Sequence, residues 1–356
     1  MKLLIITQKV NKNDPILGFF HGWIIEFSKH VESLTVICLE KGECDFPENV
    51  KVFSLGKESG KSKIKYIFNY YKFIFKNLKN FDYVFAHMSP WYVILGAPIF
   101  KIFNKKISLW YVHRKVDAKL RLAHFFADVV FTATKESFRI VSDKIKYLGQ
   151  SVDLDQFKDL EKKEEIIDNQ KDFELVTVGR ITKIKNLDTF IHALEIILEE
   201  KPDWNLKVNI IGDAVTEEDI KYKEGLLDLV KNKNLSESII FHGPIPNKEL
   251  PAIFARNDLS VNLCPTGGMD KVVLESMAAN CPVVLSNEAF RDYFGVFAND
   301  LIFSESSPRE CADKIINLLS NSEKRKEIAE YLGEEVKKRS DLNNLIKNIV
   351  YHLSSV

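Results

Sequence analysis

The stretch Phe173-Glu174-Leu175-Val176-Thr177-Val178-Gly179-Arg180 is an apolar, β-rich run that stops on a glycine. Apolar residues then recur at helical spacing through Leu187, Phe190, Ile191, Leu194 and Ile197, so the segment predicts a strand, a turn and a helix. In an open α/β sheet the loop after such a strand lies at the carboxyl edge, where ligands bind. Arg180 and Lys185 occupy that loop. Arginine offers a planar fork to phosphate oxygens and lysine a mobile point charge, a combination suited to a pyrophosphate. Taken alone, the two residues are equally well explained as solvated loop cations.

A second block some ninety residues on changes that balance. An expected strand over 258–263 leads into Cys264-Pro265-Thr266-Gly267-Gly268-Met269, a turn-prone loop whose glycines permit close backbone approach to a ligand. Asp270-Lys271-Val272-Val273-Leu274-Glu275 follows, with a helix expected from Val272 to Ala279 and a strand over 282–285. Free N–H groups at a helix start attract phosphate or sugar oxygens, which makes the backbone from Gly268 to Val272 a candidate anion site. Glu275 lies about one turn inside, where its carboxylate is able to accept hydrogen bonds from a ribose diol. A lone helical glutamate is more often exposed and idle. Its position between Leu274 and Met277, beside a glycine loop, favours function.

These blocks, with Val208-Asn-Ile-Ile-Gly-Asp213, Ile240-Phe-His-Gly243 and Pro282-Val-Val284, resemble the C-terminal half of the family 4 glycosyltransferases, retaining enzymes of the GT-B fold. The likeness is good over 173–290 and looser before it. It implies an α/β fold of two Rossmann-like doubly wound domains facing a central cleft. It also implies a nucleotide-diphosphate sugar as donor substrate, with no other cofactor and no metal. Arg180 and Lys185 match the pair that grips the donor pyrophosphate, and Gly179, Gly268, Met269, Asp270, Lys271 and Val272 fall in donor-binding positions. Glu275 matches the second glutamate of the family's Glu-x7-Glu motif. The first is replaced by Gly267, so either Asp270 or Lys271 takes over sugar contacts or the site binds without transfer. A catalytically silent nucleotide-sugar-binding protein and a nucleotide-sugar epimerase of the same fold are the alternatives.

The chain of 356 residues is 46% hydrophobic, enough for two buried cores. Strands and helices alternate twice, which predicts parallel sheets. The expected boundaries are an acceptor-side domain over 1–157, a charge-dense linker over 158–172, a nucleotide-sugar domain over 173–335, and a final helix over 336–356 that the resemblance returns to the first domain. Cys38, Cys44, Cys264, Cys281 and Cys311 show neither a Cys-x-x-Cys pair nor a ligand spacing with histidines, so a zinc or disulfide framework is not expected. Asp153-Leu154-Asp155 has the letters of a magnesium motif but lies at the expected domain exit. No strand is followed by Gly-x-Gly-x-x-Gly, which argues against a nicotinamide oxidoreductase. The N-terminus enters a strand directly, without a secretion signal, and no apolar run approaches the ~18 residues that span a bilayer. The expected place is cytoplasmic, with a peripheral position on the inner face of the membrane as a variant.

The zero net charge hides an asymmetry. Residues 1–156 hold 24 Lys and Arg against 15 Asp and Glu, net +9, and the remainder is net −9. Much of the excess lies between Lys57 and Lys79, with seven lysines and one acid among Tyr66, Phe68, Tyr70, Tyr71, Phe73 and Phe75. A helix of this kind suits an anionic membrane surface, where a lipid-linked acceptor would be met. The other reading turns the aromatics into the core and leaves the lysines in water. No RNA or DNA motif accompanies the run, so nucleic acid is not an expected partner; a carbohydrate or lipid-linked acceptor is.

In the first domain, Leu109-Trp-Tyr-Val-His113 is expected to end a strand on a histidine, and the resemblance puts His113 beside the donor sugar as a catalytic candidate. His87 ends another strand and is a weaker acceptor-side candidate. Asp14 and Gly18, in the loop after the first strand, either contact the acceptor or shape the turn.

Overall fold

The computed structural model describes residues 1–60, 62–161, 171–265 and 268–356. Gly267, Lys61 and residues 162–170 of the expected linker therefore lie outside the described residues. The chain divides into two compact units: Met1–Asp153 with Pro246–Lys248 and Leu342–Val356, and Leu154–Ile245 with Glu249–Asp341.

The first unit contains β1 (Lys2–Val10), α1 (Phe19–His30), β2 (Ser33–Lys41), β3 (Val50–Ser54), α2 (Lys63–Asn77), β4 (Tyr83–His87), α3 (Pro90–Ile102), β5 (Lys106–Trp110), α4 (Ala118–Phe126), β6 (Val129–Thr132) and β7 (Ile145–Tyr147). The strands form one parallel sheet in the order β3-β2-β1-β4-β5-β6-β7. Leu3, Leu4, Ile5 and Ile6 are fully buried because both sheet faces are covered, which is why β1 is continuously apolar rather than alternating. One core gathers Leu4 and Ile6 with Tyr70, Ile74, Tyr92, Phe100 and Leu120 from α2, α3 and α4. The other gathers Leu3 and Ile5 with Phe20, Trp23 and Phe27 of α1, and with Leu345, Ile346 and Ile349 of the last helix of the chain.

The second unit contains β8 (Asp172–Val178), α5 (Leu187–Glu200), β9 (Asn205–Ile211), α6 (Glu217–Asn232), β10 (Ile239–Gly243), α7 (Leu250–Arg256), β11 (Leu259–Asn262), α8 (Lys271–Ala278), β12 (Val283–Leu285), α9 (Arg291–Phe294), α10 (Ala298–Leu301), α11 (Pro308–Leu319) and α12 (Ser322–Arg339); α13 (Leu342–Ser354) belongs to the first unit. Its five strands are parallel in the order β10-β9-β8-β11-β12. Strand β8 thus has β9 on one side and β11 on the other, so the strand order reverses there. Parallel α/β sheets open a crevice at the carboxyl end of such a strand. The expected helix after Gly179 begins at Leu187, with a 3-10 turn over Lys183–Lys185 in front of it. No helix among the described residues is long and apolar enough to cross a membrane.

Candidate functional site

The loop after β8 is fixed by the loop after β9. Gly179 N–H donates to Ile211 O at 2.9 Å and Ile181 N–H to Asp213 O at 3.0 Å. Gly212 stands at φ 126°, and a Cβ there would lie 1.9 Å from Gly179 O, so only glycine allows this close crossing of the two backbones. The 3-10 turn then closes through Lys185 N–H to Thr182 O at 2.9 Å, and Lys185 folds its side chain back over Gly179.

A pocket in this crevice is lined by Gly179, Arg180, Lys185, Ile210, Asn262 and Leu263, among others. The Arg180 side chain is exposed, whereas that of Lys185 is only 21% exposed. Lys185 Nζ donates to Asp270 Oδ2 at 2.5 Å, and Asn262 Nδ2 donates to the same oxygen at 3.1 Å. Burial alone would push the Lys185 ammonium pKa down; the charge of Asp270, aided by Cys264, outweighs it, and the net shift is upward. Lys185 is therefore a firm cation.

Asp270 is the N-cap residue of α8, yet its side chain makes no capping bond. The helix start is consequently uncapped by a side chain while the carboxylate is turned to Lys185. Glu275 is buried at 4% exposure, and its Oε1 is paired with Lys271 Nζ one turn earlier on the helix. A diol reaching Glu275 must share it with that ammonium. Met269 is buried, Val272 packs against the core beneath α8, and Gly268 O accepts a bond from Asn287 Nδ2 at 3.4 Å. The second unit thus brings together Gly179, Arg180, Lys185, Asp270, Lys271 and Glu275. Asn262, Gly212 and Asn287 were not among the expected site residues. Asn262 carries the same signal as its neighbours, a polar residue at the carboxyl end of an apolar strand.

The first-unit candidates belong to a separate set. His113 lies three residues beyond the end of β5, not on the strand, and is exposed. Its Nδ1 accepts Lys115 N–H at 3.0 Å, which leaves the proton of the neutral ring on Nε2. His87 is 2% exposed, stacked on Phe20 at 3.9 Å and bonded to Thr7 Oγ1 through Nδ1 at 3.0 Å. These contacts account for it as a core residue rather than as a group presented to an acceptor. Asp14 accepts from Ile16 N–H at 2.9 Å and Leu17 N–H at 2.7 Å and pairs with Lys9 at 2.8 Å, so its visible work is to shape the turn. Gly18 belongs to that turn too, since a Cβ on it would meet Asp14 O at 2.4 Å.

Burial lowers the His87 pKa to about 3. The unfolded chain therefore takes up a proton that the folded chain refuses as pH falls below the ordinary value near 6.5. Stability from this group is complete above that pH and declines by about 1.4 kcal/mol per unit below it. Denaturant unfolding between pH 7 and pH 4 is expected to lose stability less steeply in His87→Leu than in wild type, by this amount, the remaining slope coming from groups such as His21, His124 and His352, whose pKa values burial also lowers; equal slopes would contradict the neutral buried ring.

Among known proteins, the profile of the family described as "Glycosyl transferases group 1" matches residues 158–334. An uncharacterized 41.2 kDa protein in the cps region of Klebsiella pneumoniae is 24% identical over 217 residues, 58% of this chain and 55% of that one. D-inositol 3-phosphate glycosyltransferase of Corynebacterium urealyticum is 25% identical over 174 residues, 49% of this chain and 41% of that one. The chain spans about half the length of the curated relatives it matches. Among solved structures, Anabaena Alr3699/HepE in complex with UDP-glucose superposes with a TM-score of 0.77 at 16% identity, and the lipopolysaccharide outer core galactosyltransferase WaaB in its apo form with 0.68 at 14%, each covering 100% of both chains. At these identities the likeness is one of fold. Residues 158–334 are accordingly a domain of the glycosyl transferases group 1 family, in a chain with the GT-B fold.

Proposed function

We propose that the protein transfers a sugar from a nucleotide-diphosphate sugar to a hydroxyl acceptor, with retention at the anomeric carbon as in the family 4 enzymes it resembles. The observation that carries this reading is the convergence of Arg180, Lys185 and the start of α8 at the strand-order reversal. As the bond from the anomeric carbon to the diphosphate breaks, negative charge grows on the diphosphate oxygens. Two cations and the positive end of a helix, gathered at one sheet edge, stabilise that charge, the electrostatic help that is often the largest catalytic contribution. In this scheme the protein's own cations do the work of a metal. Glu275 holds the ribose, and the Nε2–H of His113 is a donor for a sugar hydroxyl. UDP is the first nucleotide to test, because a structural neighbour was crystallised with UDP-glucose. Acceptor-dependent release of nucleoside diphosphate, with the anomer of the product read by NMR, tests the reading. Saturable binding without turnover would leave a nucleotide-sugar-binding protein; inversion would refute retention.

The proposed acceptor is lipid-linked or a cell-surface glycan precursor, met at the inner face of the membrane by a peripheral enzyme. Helix α2 supports this. Tyr70 and Ile74 are buried, and Tyr66, Tyr71 and Phe73 pack partly inward. Ile64, Phe68 and Phe75, however, are 80%, 69% and 56% exposed, among the exposed Lys63, Lys65, Lys72, Lys76 and Lys79. Apolar groups able to insert and lysines worth about 1 kcal/mol each at an anionic surface act together. Cosedimentation with phosphatidylglycerol liposomes at low salt is expected for wild type and is expected to be lost when Lys63, Lys65, Lys72 and Lys76 become glutamate. A wild type that ignores such liposomes would make a soluble acceptor the better reading.

A further inference from the structure

The pair formed by Lys185 and Asp270 joins residues 85 positions apart and puts an anion inside the site expected to bind one. A diphosphate that takes Lys185 has two options: it displaces the Asp270 carboxylate, or it lies against it. Both are unfavourable, since like charges repel most where water is scarce. Asn262 donates to the same carboxylate oxygen as Lys185, and Asp270 forgoes the cap of α8 to stay there. The carboxylate is thus bound as an acceptor at the place where phosphate oxygens must arrive.

The cost is not equal for substrate and product. An intact nucleotide sugar brings hydroxyl donors on the sugar next to its diphosphate, and a carboxylate freed from Lys185 is able to accept them. The nucleoside diphosphate left after transfer has lost the hydroxyls of the transferred sugar and keeps only its ribose diol, assigned to Glu275, so Asp270 and the diphosphate then compete for one ammonium.

Resting on the glycosyl-transfer reading, we propose that Asp270 is a built-in competitor of the leaving diphosphate: it lets Lys185 accept the donor, then retakes Lys185 and drives product out. Asp270 is in this view a positioning and discriminating residue. Its effect is carried by Lys185 and by the sugar that Lys185 brings near it.

The test is calorimetric titration of UDP, GDP, ADP and inorganic pyrophosphate, with the matching nucleotide sugars, into wild type, Asp270→Asn, Lys185→Ala and the double variant. Asparagine keeps the size and the bond to Asn262 while removing the charge. Asp270→Asn is expected to bind the diphosphate probes about tenfold more tightly, the scale of one charge-assisted hydrogen bond, to gain less for the nucleotide sugar, and to show correspondingly stronger product inhibition. The gain should shrink in the Lys185→Ala background, where no ammonium is left to compete for and only the repulsion between the Asp270 carboxylate and the probe is relieved. Unchanged or weaker diphosphate binding in Asp270→Asn would overturn the proposal, as would a gain undiminished without Lys185. If wild type binds no diphosphate probe, or Lys185→Ala binds them as well as wild type, the donor-site reading itself falls and this inference with it.

Discussion

Lys185→Ala is expected to lower kcat for sugar transfer by about a hundredfold, the scale seen when one preorganised donor to a developing anion is removed. Two effects add in this variant. The leaving diphosphate loses a cation whose charge is secured by its partner, and Asp270 stays behind as a negative group facing the same oxygens. Arg180→Ala removes an exposed fork and should cost about tenfold, or about 1.4 kcal/mol of transition-state stabilisation. Both residues lie in a loop fixed by backbone bonds from Gly179 and Ile181, so circular dichroism should change little in either variant; the unfolding midpoint should hold in Arg180→Ala and fall in Lys185→Ala, which strips Asp270 of its cation. Single-turnover kinetics distinguishes loss of chemistry from slow product release. Near-normal rates in both variants would remove the pyrophosphate assignment.

Glu275→Gln is expected to weaken nucleotide-sugar binding by about tenfold or more, because a hydrogen bond to a charged acceptor contributes about 1.5–3 kcal/mol. The same change strips Lys271 of the anion that faces it across one helical turn, so a loss of stability should accompany it. Inorganic pyrophosphate separates the two consequences. A ribose contact predicts that binding of the nucleotide falls while binding of pyrophosphate holds; a general collapse of the site predicts that both fall together. Equal affinity of wild type and Glu275→Gln for the nucleotide sugar would end the ribose role.

The parts of this fold that repeat a period were open to reading from sequence. The run ending at Val178, the turn at Gly179 and the helix carrying Phe190, Leu194 and Ile197 all follow from alternation between buried strand and amphipathic helix. The same holds for β11, α8 and β12 around the glycine loop. Short edge elements were not. Strand β3 has only part-buried or exposed residues, and β7 is three residues long, so neither stands out from a loop. Helix α2 was legible as a helix, but the division of its aromatics was not: which of them face α3 depends on the Tyr70 hydroxyl meeting Tyr92 O at 2.5 Å and that of Tyr71 meeting Leu95 O at 3.0 Å.

The site followed the same division. Residue types and their loops pointed to Arg180, Lys185 and Glu275, because phosphate and diol chemistry limits what is useful at a strand end. What a one-dimensional pattern does not hold is partnership. The ion pairs of Lys185 with Asp270 and of Lys271 with Glu275 turn a set of charges into a nearly balanced network. His87 and His113 looked alike as strand-end histidines, yet the sheet buries one against Phe20 and leaves the other in an exposed loop. Burial at a strand end is decided by the helices that cover it, here α1 with its Phe20 and Trp23.

The central claim is that the crevice beside β8 binds a nucleotide-diphosphate sugar through Arg180 and Lys185. Calorimetric titration of UDP-, GDP-, ADP- and dTDP-sugars into wild type and the Arg180→Ala/Lys185→Ala double variant tests it most directly. The account predicts saturable one-to-one binding of at least one diphosphate sugar by wild type and its loss in the double variant. Binding of equal strength in both proteins, or by neither, would contradict it.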